Sequence, residues 1–366
     1  MGVNITDLLI RKEISLDALN GKVIAADAHL FLYQFLTTIR QPDGTPLMDS
    51  KGNITSHLSG IFFRSLRLME KGIKLAYVFD GKPPALKAEE RERRKQLKEE
   101  AKIKYEEAAA THDLAAMKKY AGRTAHLTKE MIEESKRLIK ALGLPVIEAP
   151  SEGEAQAAQL VKEGAYAVAS QDADSLLFGA PKLIRNLSIA GRKKKASKLA
   201  FEAVEPELID LQETLSALGI SQNQMIALGL LVGTDFNQGG VKGIGPKTAL
   251  KLVKQHGENF DSLFAEAGWA FEHGWKEIFS LFKEMPVEKG LRLSWSQINS
   301  EKIKEILVAE HQFSEERVSS ALEKLEEQKT KGAQKGLGSF EGHSDKSRAS
   351  QTSQKLRHRR RYPHLR

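Results

Sequence analysis

Between residues 150 and 178 the chain reads PSEGEAQAAQLVKEGAYAVASQDADSLLF. Two acidic pairs bracket this stretch, Glu152/Glu154 and Asp172/Asp174, each with one residue between its members. The pattern between them predicts one amphipathic helix, then a short buried strand over residues 165–169. A strand running into Gln-Asp-x-Asp delivers two carboxylates to the C-terminal edge of a sheet, where open parallel sheets bind ligands. Carboxylates converging on one point repel unless a cation sits among them. A hard divalent metal such as Mg²⁺, which prefers oxygen ligands, suits that role. A local reading competes with it: Ser151-x-x-Glu154 spells a capping box, and Asp174 would cap the next short helix.

The preceding chain repeats the motif in simpler form. Residues 22–26 (KVIAA) are an apolar run ending at Asp27, and residues 75–79 another ending at Asp80. Helical spacing follows each: Leu30, Phe31, Phe35 and Leu36 within 28–39, then Leu58, Ile61, Phe62, Ser65, Leu66 and Met69 within 54–71. A further strand, 144–148, leads into Glu152 and Glu154. Strands alternating with helices of this length predict an α/β fold with a mostly parallel central sheet flanked by helices. Its C-terminal edge would carry Asp27, Asp80, Asp172 and Asp174, with the two glutamates at an adjoining helix start. One aspartate after a strand is ordinary turn chemistry; several at one edge favour a metal site.

Lys82-Pro83-Pro84 ends the second strand, and a long charged helix follows with few apolar positions. Lys87 and Arg94 lie seven apart on it and share a face. Such a helix either is solvated and laced with ion pairs or stands off the core as an arm or arch, where its cations could hold a phosphate. A short helix is expected over 113–120 and a longer one over 128–143. Beyond residue 178, strands over 183–187 and 199–204 would flank a basic loop, 191–198, either a phosphate contact or a soluble hairpin tip. Helices over 207–218 and 221–232 precede Gly233-Thr234-Asp235. Gly243-Ile244-Gly245 then opens a helix with Pro246 at its first position and Lys247 beside it, the helix-hairpin-helix pattern for sequence-independent contact with a DNA backbone. Residues 260–308 read as helical packing and 313–328 as a terminal amphipathic helix. From residue 329 the composition shifts to that of a disordered tail, which ends in a basic run at 357–361.

The formal net charge is +8 and the pI about 9.3, although the chain carries an acidic cluster. That combination suits a polyanionic substrate with metal at the reaction centre. The absence of cysteine excludes disulfides and thiolate metal sites. No apolar run approaches the ~20 residues of a membrane helix. Met1-Gly2-x-x-x-Thr6 fits a short myristoylation pattern, for which a free Gly2 after methionine removal is the simpler expectation.

These residues resemble the flap endonucleases, structure-specific 5′ nucleases of DNA replication and repair, and most closely their archaeal members. The resemblance runs from Met1 to about Gln328 and rests on TSHLSGIFFR, YVFDGKPP, APSEGEAQAA, SQDADSLLFG, LVGTDFN and KGIGPK. It implies a PIN-like 5′ nuclease core with a helical arch, acting as a Mg²⁺-dependent flap endonuclease and 5′→3′ exonuclease in Okazaki fragment maturation and base excision repair. By the same resemblance Asp27, Asp80, Glu152 and Glu154 serve one Mg²⁺ and Asp172, Asp174 and Asp235 a second, with Mn²⁺ as a substitute. Asp235 comes from the resemblance alone. Lys87 and Arg94 match the arch cations that steady the scissile phosphate, and Tyr33 matches the aromatic residue stacked beside the cut. Arg40, Arg64 and Gly233 match substrate contacts, and the Gly243–Gly245–Lys247 turn matches the hairpin that grips duplex DNA and holds K⁺. Gln334, Leu337 and Phe340 match the box that binds the replication sliding clamp (PCNA-type), except that Glu341 stands where a second aromatic is expected.

The implied segments are 1–105, an N-terminal nuclease region; 106–130, the rest of the arch; 131–260, an internal nuclease region with the hairpin; 261–328, the C-terminal helical part; and 329–366, the tail. The resemblance also implies a monomer acting on flapped or nicked duplex DNA, without a membrane partner, in the archaeal cytoplasm at the nucleoid, or in the nucleus of a eukaryote. Ala26 and Ala173 are smaller than the family's frequent choices, and the basic extension after Gly342 is no general family feature. The competing readings are a related nuclease of bubbles or Holliday junctions, a phosphatase built on Asp172-x-Asp174, and a non-catalytic DNA-bound scaffold.

Overall fold

The computed structural model describes residues 2–111, 113, 126–189, 193–194, 201–202 and 204–341. Among them β2 (Val23–Asp27), β3 (Lys74–Phe79), β4 (Val146–Glu148), β5 (Ala167–Ala169) and β6 (Lys182–Arg185) pair in parallel, in the order β6-β5-β2-β3-β4. The sheet grows at one edge by β9 (Glu207–Asp210), antiparallel to β6, and by the short β1 (Lys12–Glu13) beyond it. Strand alternation sends the two sets of side chains into different layers. Tyr77 meets Phe31 of α1 (Ala28–Thr38) edge-to-face, and its hydroxyl bonds to Ser65 of α2 (Ser56–Glu70). Ala25, Ala76, Val78 and Val168 turn the other way, into a core shared with the helix Gly153–Lys162 and the C-terminal helices. With helices over both faces, parallel strands can be apolar throughout, and β2, β3 and β5 are nearly so.

Two expectations about strands are corrected. The partner of β6 is β9, so residues 207–210 are a strand and only Leu211–Leu218 is helical. The basic segment belongs to a separate two-stranded ladder, β7 (Lys193–Lys194) with β8 (Phe201–Glu202). Asp210 explains the first miss: it accepts from the Glu213 amide as the true N-cap, so the helix cannot begin earlier.

The charged helix α3 (Ala88–Ala110) forms, with Leu97 and Ile103 exposed on it, but Lys87 lies just before it in a 3-10 turn, Ala85–Lys87, rather than on the helix with Arg94 as expected. Most of the short helix expected over 113–120 falls outside the described residues. The helix Lys129–Ala141, capped by Thr128, returns the chain to β4. The chain divides into two units, Met1–Val318 and Ser319–Arg366. The last helix, Glu315–Glu341, overturns the expectation of a disordered tail from residue 329 as far as 341. Glycines at 332, 336 and 338 each cost a helix about 1 kcal/mol, but Lys329, Lys331, Ala333, Gln334 and Lys335 are helix formers, and the helix runs on through them. The basic run at 357–361 lies outside the described residues.

Candidate metal centre and nucleic-acid interface

All seven acidic positions meet at the C-terminal edge of the parallel strands. Asp27 closes β2 and caps α1, with Oδ1 accepting from the Leu30 amide at 3.0 Å. Its Oδ2 is left for Ser170, whose hydroxyl also lies 3.2 Å from Glu154 Oε1. Asp80 follows β3. There Gly81 passes so close to residues 149–150 that a Cβ would lie 1.9 Å from the Ala149 carbonyl oxygen. Only glycine permits that approach, and it brings Asp80 Oδ1 to the Gly153 amide at 2.7 Å. Asp172 and Asp174, beyond β5, accept from the amides of Gly2 (3.0 Å) and Val3 (2.6 Å).

The capping alternative fails for both pairs. The N-cap of the helix Gly153–Lys162 is Glu152, without a side-chain cap, and the Ser151 hydroxyl donates to the Lys82 carbonyl instead. Asp174 sits inside the short helix Asp174–Leu177, whose N-cap is Ala173.

The electrostatics show the crowding. Burial first, then the Asp80 and Asp172 charges, push Asp27 up to about 8 against the Leu30 bond. Burial, aided by Asp235 and Asp172, pushes Asp174 up to about 7. Glu154 is driven well above the carboxylate range by burial and by Asp174, Asp27 and Asp172. Burial raises Glu152 as well, although Lys87 counters it. Lys87 Nζ lies 2.6 Å from Glu152 and 3.3 Å from Asp235. Burial alone would lower its pKa, but these anions outweigh burial and hold it above its ordinary value.

The residues therefore fit a divalent cation: the donors are oxygens, they are partly buried, and they repel one another until protons or an ammonium intervene. Among the described residues no three such side chains are drawn into one closed ligand set. Mg²⁺ does not need one, since it keeps several waters and binds through one or two carboxylates.

The other expected residues lie on several elements. Tyr33 is half-buried on α1. Arg40 donates to the carbonyls of Leu36 and Gly44, so it also braces the loop after α1. Arg64 is half-buried on α2, and burial followed by the Arg67 charge lowers its pKa. The Arg94 backbone lies in α3, and its side chain lies outside the described residues, as do those of Gln334, Leu337 and Phe340. The helix Gln222–Val232, started by a Ser221–Gln224 capping box, leads through Gly233 to the turn, and Pro246–His256 follows. Gly233 has φ +109°, and a Cβ there would lie 2.4 Å from the Gly240 nitrogen. Gly243 has φ +82° and, like Gly245, faces open space, so the turn's backbone is accessible. Lys242, Lys247, Lys251 and Lys254 are exposed around it.

Sequence reasoning missed three contributors. Ser170 joins Asp27 to Glu154, and the Gly2 and Val3 amides hold the Asp172/Asp174 pair. His29 Nδ1 accepts the Asp80 amide at 3.1 Å, and burial lowers its pKa toward the neutral form that can do so. Only Ser170, beside the acidic motif, carried a local signal.

Clustered carboxylates at a sheet edge, an ammonium among them and an accessible glycine hairpin define a hydrolase acting on phosphodiesters. Residues 3–101 match the XPG N-terminal domain and residues 143–235 the XPG I-region. The chain is 52% identical over 347 residues to flap endonuclease 1 of Hyperthermus butylicus, covering 93% of this chain and 99% of the relative. It is 50% identical over 341 residues to that of Pyrococcus horikoshii, covering 93% and 98%. The solved flap endonuclease-1 from Methanococcus jannaschii superposes with a TM-score of 0.70 at 40% identity, covering 89% of this chain and 98% of that one. The chain belongs to the flap endonuclease family and is a nuclease.

Proposed function

We propose that this nuclease cuts 5′ flaps at their junction with duplex DNA, with accompanying 5′→3′ exonuclease activity, in Okazaki fragment maturation and base excision repair. The observation that carries the reading is the meeting of seven carboxylates and Lys87 at one sheet edge. Asp27, Asp80, Glu152 and Glu154 would hold one Mg²⁺, and Asp172, Asp174 and Asp235 the second, with Mn²⁺ able to substitute. When bound, the two ions supply charge neutralisation and activation of water for in-line displacement. Ser170, Gly153 and the Gly2–Val3 amides fix the directions of the carboxylates that receive them.

Lys87 has two roles in sequence. Its ammonium satisfies Glu152 and Asp235 in this structure; with substrate bound it would turn to the scissile phosphate, where with Arg94 it would offset developing charge. Tyr33 offers a ring to the base beside the cut, and Arg40, Arg64 and Gly233 contact the substrate near it. The Gly243–Lys247 turn grips the duplex through phosphates, which gives affinity without base preference. A K⁺ at that turn's carbonyls would add to the grip. Gln334, Leu337 and Phe340 would engage the sliding clamp, more weakly for having Glu341 after Phe340. The protein would act as a monomer.

The test is cleavage of a labelled double-flap DNA by the wild type and by Asp172→Asn, with Mg²⁺ and with EDTA. The reading expects metal-dependent cutting at the flap base and a variant that binds without cutting. If both proteins bind and neither cuts with any divalent metal, a scaffold role replaces it.

A further inference from the structure

A cavity of about 210 Å³ opens directly beside the carboxylate centre and shares Asp235 with it. Two phenylalanines, Phe236 and Phe271, line it from two directions, with Asn237, Glu272 and His273 beside them. Phe236 rests against Phe282 (5.5 Å), which packs on Phe178 (4.9 Å). Phe271 rests against Trp269 (4.6 Å), which packs on Phe264 (5.1 Å). Each wall is thus one end of a stack rooted in the core, with Phe236 itself buried and Phe271 half-buried. The Phe271 loop is fixed as well, since Trp269 Nε1 donates to the His273 carbonyl at 2.9 Å. Leu86 and Arg93, at the base of the charged helix, close a third side, and Gln238 lies at the edge. Lys87 Nζ lies 5.9 Å from the Phe236 ring centroid, so the cation meant for the scissile phosphate abuts the cavity wall.

We infer that this cavity takes the first unpaired nucleobase of the displaced 5′ strand, seated between Phe236 and Phe271. The inference rests on the flap-nuclease reading and adds a subsite to it. A phosphate held at Lys87 has its neighbouring base one step away, and the cavity is the aromatic-walled space at that step. At about 210 Å³ it has room for one planar base, which favours an unpaired strand on the departing side. Stacking on an aromatic ring is tolerant of base identity, which suits an enzyme that reads structure rather than sequence. Arg93 adds a cation where the next phosphate leaves toward the charged helix.

The experiment is single-turnover cleavage in Mg²⁺ at subsaturating protein, on double-flap DNA carrying either a normal base or an abasic residue at the first flap position. For the wild type, removing the base should lower the rate about tenfold, the scale of one base–aromatic stack. Phe271→Ala should lose a similar factor on the normal substrate and nothing further on the abasic one. Phe271→Leu keeps apolar bulk against Trp269 and should melt with the wild type while losing the same base dependence; Phe271→Tyr should restore it. Equal wild-type rates on the two substrates, or undiminished base dependence in Phe271→Ala and Phe271→Leu, would overturn the subsite and leave the nuclease intact. A wild type that cuts neither substrate removes the nuclease reading and the subsite with it.

Discussion

Asp27 and Asp80 are each held by a backbone amide on one oxygen, Asp27 in capping α1 and Asp80 at Gly153. Burial and then mutual repulsion raise Asp27, Glu154 and Asp174. Raised carboxyl groups mean that the folded protein holds protons the unfolded chain releases, so the metal-free protein loses stability as pH rises toward about 8. In EDTA the melting temperature should therefore climb on going from pH 8.5 to 7, a window above ordinary histidine titration. With saturating Mg²⁺ that slope should flatten or reverse, because the metal binds the ionised carboxylates; a slope unaffected by metal would contradict the crowding account. Lys87→Ala should lower the single-turnover rate roughly 10²–10³-fold, the cost of one preorganised charge donor, with DNA affinity little changed. A pure affinity loss would move Lys87 from chemistry to binding.

The elements show why part of this site was legible and part was not. Strand, aspartate, helix is a local pattern, so Asp27, Asp80, Asp172 and Asp174 could be placed from spacing alone. Asp235 follows a helix rather than a strand, and only the fold brings it to Lys87. The Gly2 and Val3 amides reach the Asp172/Asp174 pair across about 170 residues, which no window of sequence reveals. The boundary errors near residue 207 and in the final helix come from the same limit: a cap and a run of helix formers decided there against the coarser pattern.

Two predictions belong to single elements. Glu134 lies 3.4 Å from His57 Nε2 and 3.3 Å from His311 Nε2, tying α2 to the segment after the π-helical turn Glu305–Glu310. Glu134→Ala strips the fully buried His57 of its partner and should cost about 1–3 kcal/mol in urea unfolding. In the hairpin, Lys247→Ala should weaken binding equally across DNA sequences and lower the slope of log K against log salt by about one. Sequence-dependent weakening would mean that the turn reads bases.

For the whole molecule, a net charge of +8 surrounds an acidic centre. The excess favours DNA at the surface, while the proposed divalent cations would offset the repulsion between the carboxylates and its phosphates. The compact unit ends at Val318, and the proposed clamp box lies beyond it. Removal of residues 329–366 should leave flap cleavage by the isolated protein near its full value and abolish stimulation by a sliding clamp; retained stimulation would place the clamp contact elsewhere. The central claim is that the seven carboxylates form a metal centre from which Lys87 withdraws. An anomalous difference map from crystals soaked in Mn²⁺ tests it most directly. The account predicts two peaks among Asp27, Asp80, Glu152, Glu154, Asp172, Asp174 and Asp235, with Lys87 Nζ moved away from Glu152. A map without ordered Mn²⁺ there, and with Lys87 still bridging Glu152 and Asp235, would contradict it.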